Sequence, residues 1–237
     1  MAVRKFLTAE WRKLAIANYA VDKNLLLDFL PHKTELDLWN DICYVSLVGF
    51  KFQNTRLKGF RIPFHTDFEE VNLRFYVKYK EHGQWKRGVT FIKELVPKYA
   101  LTFVANTVYK EKYETLPMLH KWETFSDHQN VEYKWKKNDW HHFKVTAHQA
   151  LTELSANSEE EFITEHYWGY TKLNSTKTSE YAVEHPKWKM YRVKEHTIDV
   201  DFGAVYGSNF SFLTNQQPRS VMLAEGSEII VSAGRHL

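Results

Sequence analysis

The 237-residue chain contains one cysteine, six prolines and nine glycines. A single thiol, Cys43, closes no internal disulfide, which fits a reducing compartment. Its apolar surroundings, Ile42-Cys43-Tyr44-Val45, mark it as a small core hydrophobe. Scarce Gly and Pro exclude collagen-like, low-complexity and largely disordered chains. No apolar run approaches the ~18 residues of a membrane helix. The opening residues, Met1-Ala2-Val3-Arg4-Lys5-Phe6, lack the apolar centre of a signal peptide. These absences predict a cytoplasmic location and no membrane partner.

Charge of one sign is also missing. Lys and Arg total 32 against 29 Asp and Glu, a net +3. Nucleic-acid binding needs a basic stripe, and the short run Lys134-Trp135-Lys136-Lys137 reads as a solvated strand face, so no nucleic-acid partner is expected. There is no Gly-rich phosphate loop, no Gly-x-Ser-x-Gly elbow and no dinucleotide fingerprint. The 12 histidines show no zinc spacing; His141 and His142 are adjacent and would face opposite sides of a strand. Neither metal nor cofactor is predicted.

What the chain has instead is aromatic mass: 8 Trp, 13 Tyr and 16 Phe. No linker or repeat divides it, so residues 1–237 read as one domain, long enough to bury roughly 70–75% of the unfolded surface. Strands are predicted at 11–20, 36–39, 42–50, 70–80, 89–96, 131–136, 141–148, 161–170, 187–194, 221–224 and 228–232. Asn40-Asp41 and Gly226 read as hairpin turns. Short helices are predicted at 23–30, capped by Asp22, at 99–112 and at 199–206. Residues 52–68 read as a long loop. This pattern indicates a mostly β (α+β) fold, an antiparallel barrel with a few short helices.

The clearest strand is Glu70-Val71-Asn72-Leu73-Arg74-Phe75-Tyr76-Val77-Lys78. Alternation puts Val71, Leu73, Phe75 and Val77 on one face, and Glu70, Asn72, Arg74 and Tyr76 on the other. The polar face is either solvated or the lining of a pocket. An acid, an amide, a guanidinium and a phenol are unlike Lys/Glu filler, and Arg suits a planar carboxylate. His65, in the stiff segment Ile62-Pro63-Phe64-His65, is placed at the pocket mouth. His166 and His185 lie in two further aromatic stretches that read first as packing.

Three segments carry a resemblance: Tyr44-Val45-Ser46-Leu47-Val48-Gly49-Phe50, Phe64-His65-Thr66-Asp67-Phe68-Glu69-Glu70-Val71-Asn72-Leu73-Arg74-Phe75-Tyr76-Val77 and Gly88-Val89-Thr90-Phe91. The chain resembles the YqjF-like family, a bacterial domain of unknown function grouped with the acetoacetate decarboxylase-like superfamily. The resemblance implies a β-barrel with an internal cavity. The superfamily's enzymes use a Schiff-base lysine beside a second lysine. The nearest counterpart here, Val108-Tyr109-Lys110-Glu111-Lys112-Tyr113, has no adjacent lysine pair, and Tyr113 falls near the nucleophile's place. A pocket glutamate of those enzymes corresponds to Glu70.

The expected function is binding of a small organic anion in a barrel pocket, with Arg74, Glu70, Asn72, Tyr76, His65 and Tyr109 as ligand-binding candidates. The alternative is a decarboxylase-like enzyme acting on an oxo or carboxylic acid without the usual lysine pair, with Glu70 as the candidate acid or base. A third reading is an interaction protein with a vestigial pocket. A homo-oligomer is compatible with the sequence.

Overall fold

Period-two alternation becomes strand along most of the chain. The computed structural model describes residues 5–109 and 111–237, without the side chains of residues 104, 108 and 109. The strands are β1 (Lys5–Val21), β2 (Glu35–Leu36), β3 (Cys43–Leu57), β4 (Phe68–Glu81), β5 (Gln84–Val96), β6 (Tyr113–Thr115), β7 (Met118–Thr124), β8 (His128–Lys137), β9 (Asp139–Thr152), β10 (Trp168–Lys172), β11 (Thr178–Glu184), β12 (Met190–Asp199), β13 (Ser220–Ser232) and β14 (Arg235–His236). Three short helices interrupt them: α1 (Tyr99–Val104), α2 (Glu159–Thr164) and α3 (Phe202–Tyr206). Tighter 3-10 turns occupy Lys23–Phe29 and Ser208–Asn215, and a π-turn, Ala105–Tyr109, extends α1. The fold is mostly β with few short helices, as the sequence predicts.

These strands form one sheet in the order β14-β11-β10-β5-β4-β3-β1-β13-β12-β9-β8-β7. A further pairing joins β11 to β13, so the path β10-β5-β4-β3-β1-β13-β11 returns on itself as a closed ring. Most pairings are antiparallel, but β5 meets both β10 and β6 in parallel. Val71, Leu73, Phe75 and Val77 point out of the ring and join a core with Tyr133, Trp135 and Phe143. The β7–β9 meander therefore covers the ring's outer side. Tyr133 of β8 packs on Gly49 of β3 and donates to the Lys13 carbonyl at 2.8 Å.

Several expectations hold in detail. Asp22 caps the first helical turn by accepting from Asn24 N–H at 2.8 Å. Asn40 and Asp41 both take positive φ in a tight turn bridging Trp39 and Ile42. Cys43 is buried, and burial pushes its thiol up to about 11. His141 is buried while His142 is only partly so.

Other expectations are corrected. Residues 52–57 are not loop: β3 continues to Leu57, pairing with β1, and the loop covers only 58–67. Residues 161–164, predicted as the start of a strand, are helix, the C-terminal part of α2. Ser158 Oγ accepts from Glu161 N–H at 3.1 Å, and this cap starts α2. Gly226 is no hairpin turn. It sits inside the unbroken β13, paired with Arg12 at φ +81°, where a Cβ would lie 1.9 Å from the Trp11 carbonyl oxygen. Only glycine allows this close approach. The predicted helix 99–112 is shorter, because Asn106 clamps the Tyr113 backbone with two hydrogen bonds of 2.8 and 2.9 Å and turns the chain into β6.

Candidate functional site

The ring encloses a cavity of about 450 Å³. Its walls follow from strand alternation. Inward positions of β1 and β3 give Trp11, Leu14, Phe50 and Phe52, an apolar aromatic surface. Inward positions of β4 give Glu70, Asn72 and Arg74. Both faces of β4 are thus buried, one in the outer core and one in the cavity. The polar face is not a solvated one.

β5 adds an acid through a bulge. Leu73 pairs with Lys93 but Arg74 with Phe91, so Ile92 is an extra residue. A bulge of this kind resets the alternation. Phe91 and Glu94, three apart, therefore both line the cavity, while Ile92 and Leu95 join the outer core. The segment after the π-turn brings in Glu111 and Tyr113, and β11 brings Tyr181. Tyr181 fits because its cross-strand partner is Gly169.

Three carboxyls, Glu70, Glu94 and Glu111, thus line one buried space. Asn72 donates to Glu70 Oε1 at 3.0 Å, Tyr113 OH reaches Glu70 Oε2 at 3.4 Å, and Thr171 donates to Glu111 at 2.5 Å. Glu94 Oε2 is buried with no partner. Burial disfavours the charged form. It pushes Glu70 and Glu111 up to about 7, and pushes Glu94 well above the usual carboxylate range with help from its two acidic neighbours.

Arg74 stands among them 7% exposed. Among the described residues it has no ion pair or hydrogen bond; its Nε is buried without a partner, and the guanidinium lies 5.7 Å from the Tyr76 ring centre. Beside it is His166. Asp37 Oδ2 accepts from Arg87 Nε at 2.6 Å and from His166 Nε2 at 3.2 Å. His166 packs 4.7 Å from the Tyr76 ring and 5.2 Å from that of Phe162. Burial, with the charges of Arg87 and Arg74, pushes His166 down to about 4 against the pull of Asp37. His185 stacks on Trp188 at 4.2 Å and is lowered mainly by burial.

The candidate residues separate as follows. Glu70, Asn72, Arg74 and His65 all line the cavity. His65, on the 58–67 loop, is fixed by donating Nδ1–H to the Pro63 carbonyl at 2.8 Å. Tyr76 lies one layer deeper, outside the lining, its hydroxyl 2.8 Å from Ser46 Oγ, which in turn donates to Asn18. The side chain of Tyr109 lies outside the described residues, as does Lys110. Lys112 projects toward the Phe29 ring instead, and no lysine is found among the described lining residues.

This frame and its buried acids can be set beside known proteins. A family model described as an uncharacterised conserved protein, DUF2071, matches residues 8–228. The chain belongs to the DUF2071 family. The uncharacterised protein YqjF of Bacillus subtilis is 35% identical over 71 residues, which cover 30% of this chain and only 29% of YqjF. The solved structure of acetoacetate decarboxylase from Legionella pneumophila superposes with a TM-score of 0.66 at 12% identity, covering 99% of this chain and 88% of that one. The enduracididine biosynthesis enzyme MppR, complexed with pyruvate, gives a TM-score of 0.66 at 10% identity over 100% and 91% of the two chains. An acetoacetate decarboxylase-like enzyme from Sphingomonas wittichii RW1 gives 0.62 at 10% identity over 99% and 94%. At these identities the likeness establishes an acetoacetate decarboxylase-like fold for this DUF2071 member.

Proposed function

We propose that the protein binds a small organic anion inside the strand ring, with the anionic group on Arg74. One observation carries this reading: a buried guanidinium faces a cavity with no ion-pair or hydrogen-bond partner among the described residues. An unpaired buried charge is costly. The acid whose charge reaches it, Glu70, offsets it only in part at neutral pH, because burial pushes that carboxyl up to about 7. A carboxylate accepting two parallel N–H bonds would satisfy Arg74. Trp11, Phe50, Phe52 and Trp188 then receive an apolar body, and the cavity has the size of a typical small-molecule site. Asn72 orients Glu70, and His65 sits at the rim.

Calorimetry with 4-phenylbutanoate and octanoate tests this. Both acids are expected to bind, 4-phenylbutan-1-ol is not, and Arg74→Met is expected to lose at least about tenfold in affinity. Equal binding of the alcohol, or full binding by Arg74→Met, overturns the reading.

A second reading is favoured by the near-neutral acids. A carboxyl pushed up to about 7 is suited to moving a proton at neutral pH, so Glu70 beside Arg74 supports an enzyme acting on an oxo or carboxylic acid. Incubation with a β-oxo acid, followed by product analysis and by borohydride trapping with mass spectrometry, decides it. Turnover lost in Glu70→Gln supports the reading; a lysine adduct would assign a covalent route, and no turnover removes the enzyme.

A further inference from the structure

The cavity holds two histidines that the anion reading leaves unused. Asp37 carries the charged neighbour Arg87 and is held below the usual carboxylate range. As a carboxylate it can only accept, so His166 Nε2 is the protonated nitrogen. With the ring neutral, Nδ1 carries a lone pair, and this atom is buried with no partner. Such an acceptor is expensive to leave unmatched. His185 is set up in the same sense: its Nδ1–H donates to the Pro186 carbonyl at 2.9 Å, leaving Nε2 as an acceptor. Both rings line the cavity. Arg74 Cζ and the His166 ring lie 5.7 and 4.7 Å from the same Tyr76 ring centre, and the Arg74 charge is felt at His166, so cation and acceptor are neighbours in the lining.

A ligand matched to this wall needs negative charge and, close beside it, a hydrogen-bond donor. We infer that the cavity selects hydroxy acids, carboxylates carrying a hydroxyl on a neighbouring carbon, with His166 as the residue that reads the hydroxyl. A 2-oxo acid presents only lone pairs at that point, and they would face the lone pair of Nδ1. Sites built to hydrogen-bond a hydroxyl discriminate strongly against analogues lacking it, because the protein group is then left unpaired. Asp37 is the positioning residue, since its hydrogen bond fixes which nitrogen of His166 accepts.

This inference rests on the Arg74 reading, and three related acids separate the two. Wild-type protein is titrated with 2-hydroxy-4-phenylbutanoate, 2-oxo-4-phenylbutanoate and 4-phenylbutanoate. One enantiomer of the hydroxy acid is expected to bind about tenfold or more tighter than either other acid. His166→Phe is expected to bring the hydroxy acid down to the affinity of the other two acids. If 4-phenylbutanoate binds through Arg74 and the hydroxy acid gains nothing, the selectivity falls and the anion site stands. If none of the acids binds, both fall. A second readout does not depend on the variant folding. The nitrogen-15 signal of His166 Nδ1 should shift on addition of the hydroxy acid and stay in place with 4-phenylbutanoate. An unmoved signal with bound hydroxy acid overturns the assignment.

Discussion

Gly169 and Tyr181 face each other across the β10–β11 pair, and a Cβ on Gly169 would lie 2.1 Å from Cζ of the tyrosine ring. The tyrosine reaches the cavity only because the glycine has no side chain. Gly169→Ala is therefore expected to destabilise the fold by about 1–3 kcal/mol through overpacking. Tyr181→Ala in the same chain should recover most of that loss. Urea denaturation of the two single variants and the double variant measures the coupling.

Arg74→Met is expected to make the unliganded protein more stable. It replaces a buried, unpaired cation with an apolar chain of similar length, a change worth about 1–4 kcal/mol in favourable cases. The same variant should lose anion binding. Thermal unfolding with and without 4-phenylbutanoate reads both effects, and a lower melting temperature in the unliganded variant would contradict the argument.

The buried carboxyls set a pH dependence. Glu70 and Glu111 keep their protons to about pH 7 in the folded protein, and burial beside these two acids holds Glu94 well above the usual carboxylate range as well. The unfolded chain releases them near 4.5. The folded state thus binds more protons between these values, and stability falls as pH rises through that window. Glu94→Gln removes one such group and should gain more relative to wild type at pH 8 than at pH 5. His166 acts with the opposite sign. Neutral in the fold down to about 4 but protonated near 6.5 when unfolded, it costs stability as pH drops through that interval. Denaturation midpoints from pH 4 to 8 test both slopes.

Asp37→Ala leaves the buried Nε2–H of His166 without an acceptor. The expected cost is about 1–3 kcal/mol. The more exposed Arg87 can turn to water and should add little. A double variant with His166→Phe should lose less than the two single costs together.

Much of the candidate site was legible in the sequence because β4 alternates without a slip. Glu70, Asn72 and Arg74 share a face in any strand of that register. Glu94 was hidden because the bulge at Ile92 breaks the period in β5, and nothing in Val89-Thr90-Phe91-Ile92-Lys93-Glu94 marks the extra residue. His166 was visible as an aromatic neighbour, but its role depends on Asp37, 129 positions away. The α2 helix had a readable signal in the spacing of Ser158 and Glu161, the capping pattern Ser-x-x-Glu, which the aromatic run after it masked. Residues 53–56, Gln-Asn-Thr-Arg, look like loop by composition, yet Gln53 and Arg56 pair with β1 on either side of a bulge at Asn54 and Thr55. The continuity of β13 was unreadable because a glycine with positive φ serves a bulge as well as a turn.

The ring closure has a mechanical side. β10 and β11 share five residue pairs with each other, but β10 joins β5 through two, and β11 joins β13 through two. β1 and β3, by contrast, are paired along most of their length. Opening free energies scale with what must be broken. The β10–β11 hairpin is therefore a panel hinged on short seams in an otherwise stiff wall. It carries Gly169, Tyr181 and Val183 of the cavity lining, with His166 and His185 at its two ends. The cavity lining is therefore least continuous in backbone pairing along this hairpin, and hydrogen exchange should be fastest at its two seams.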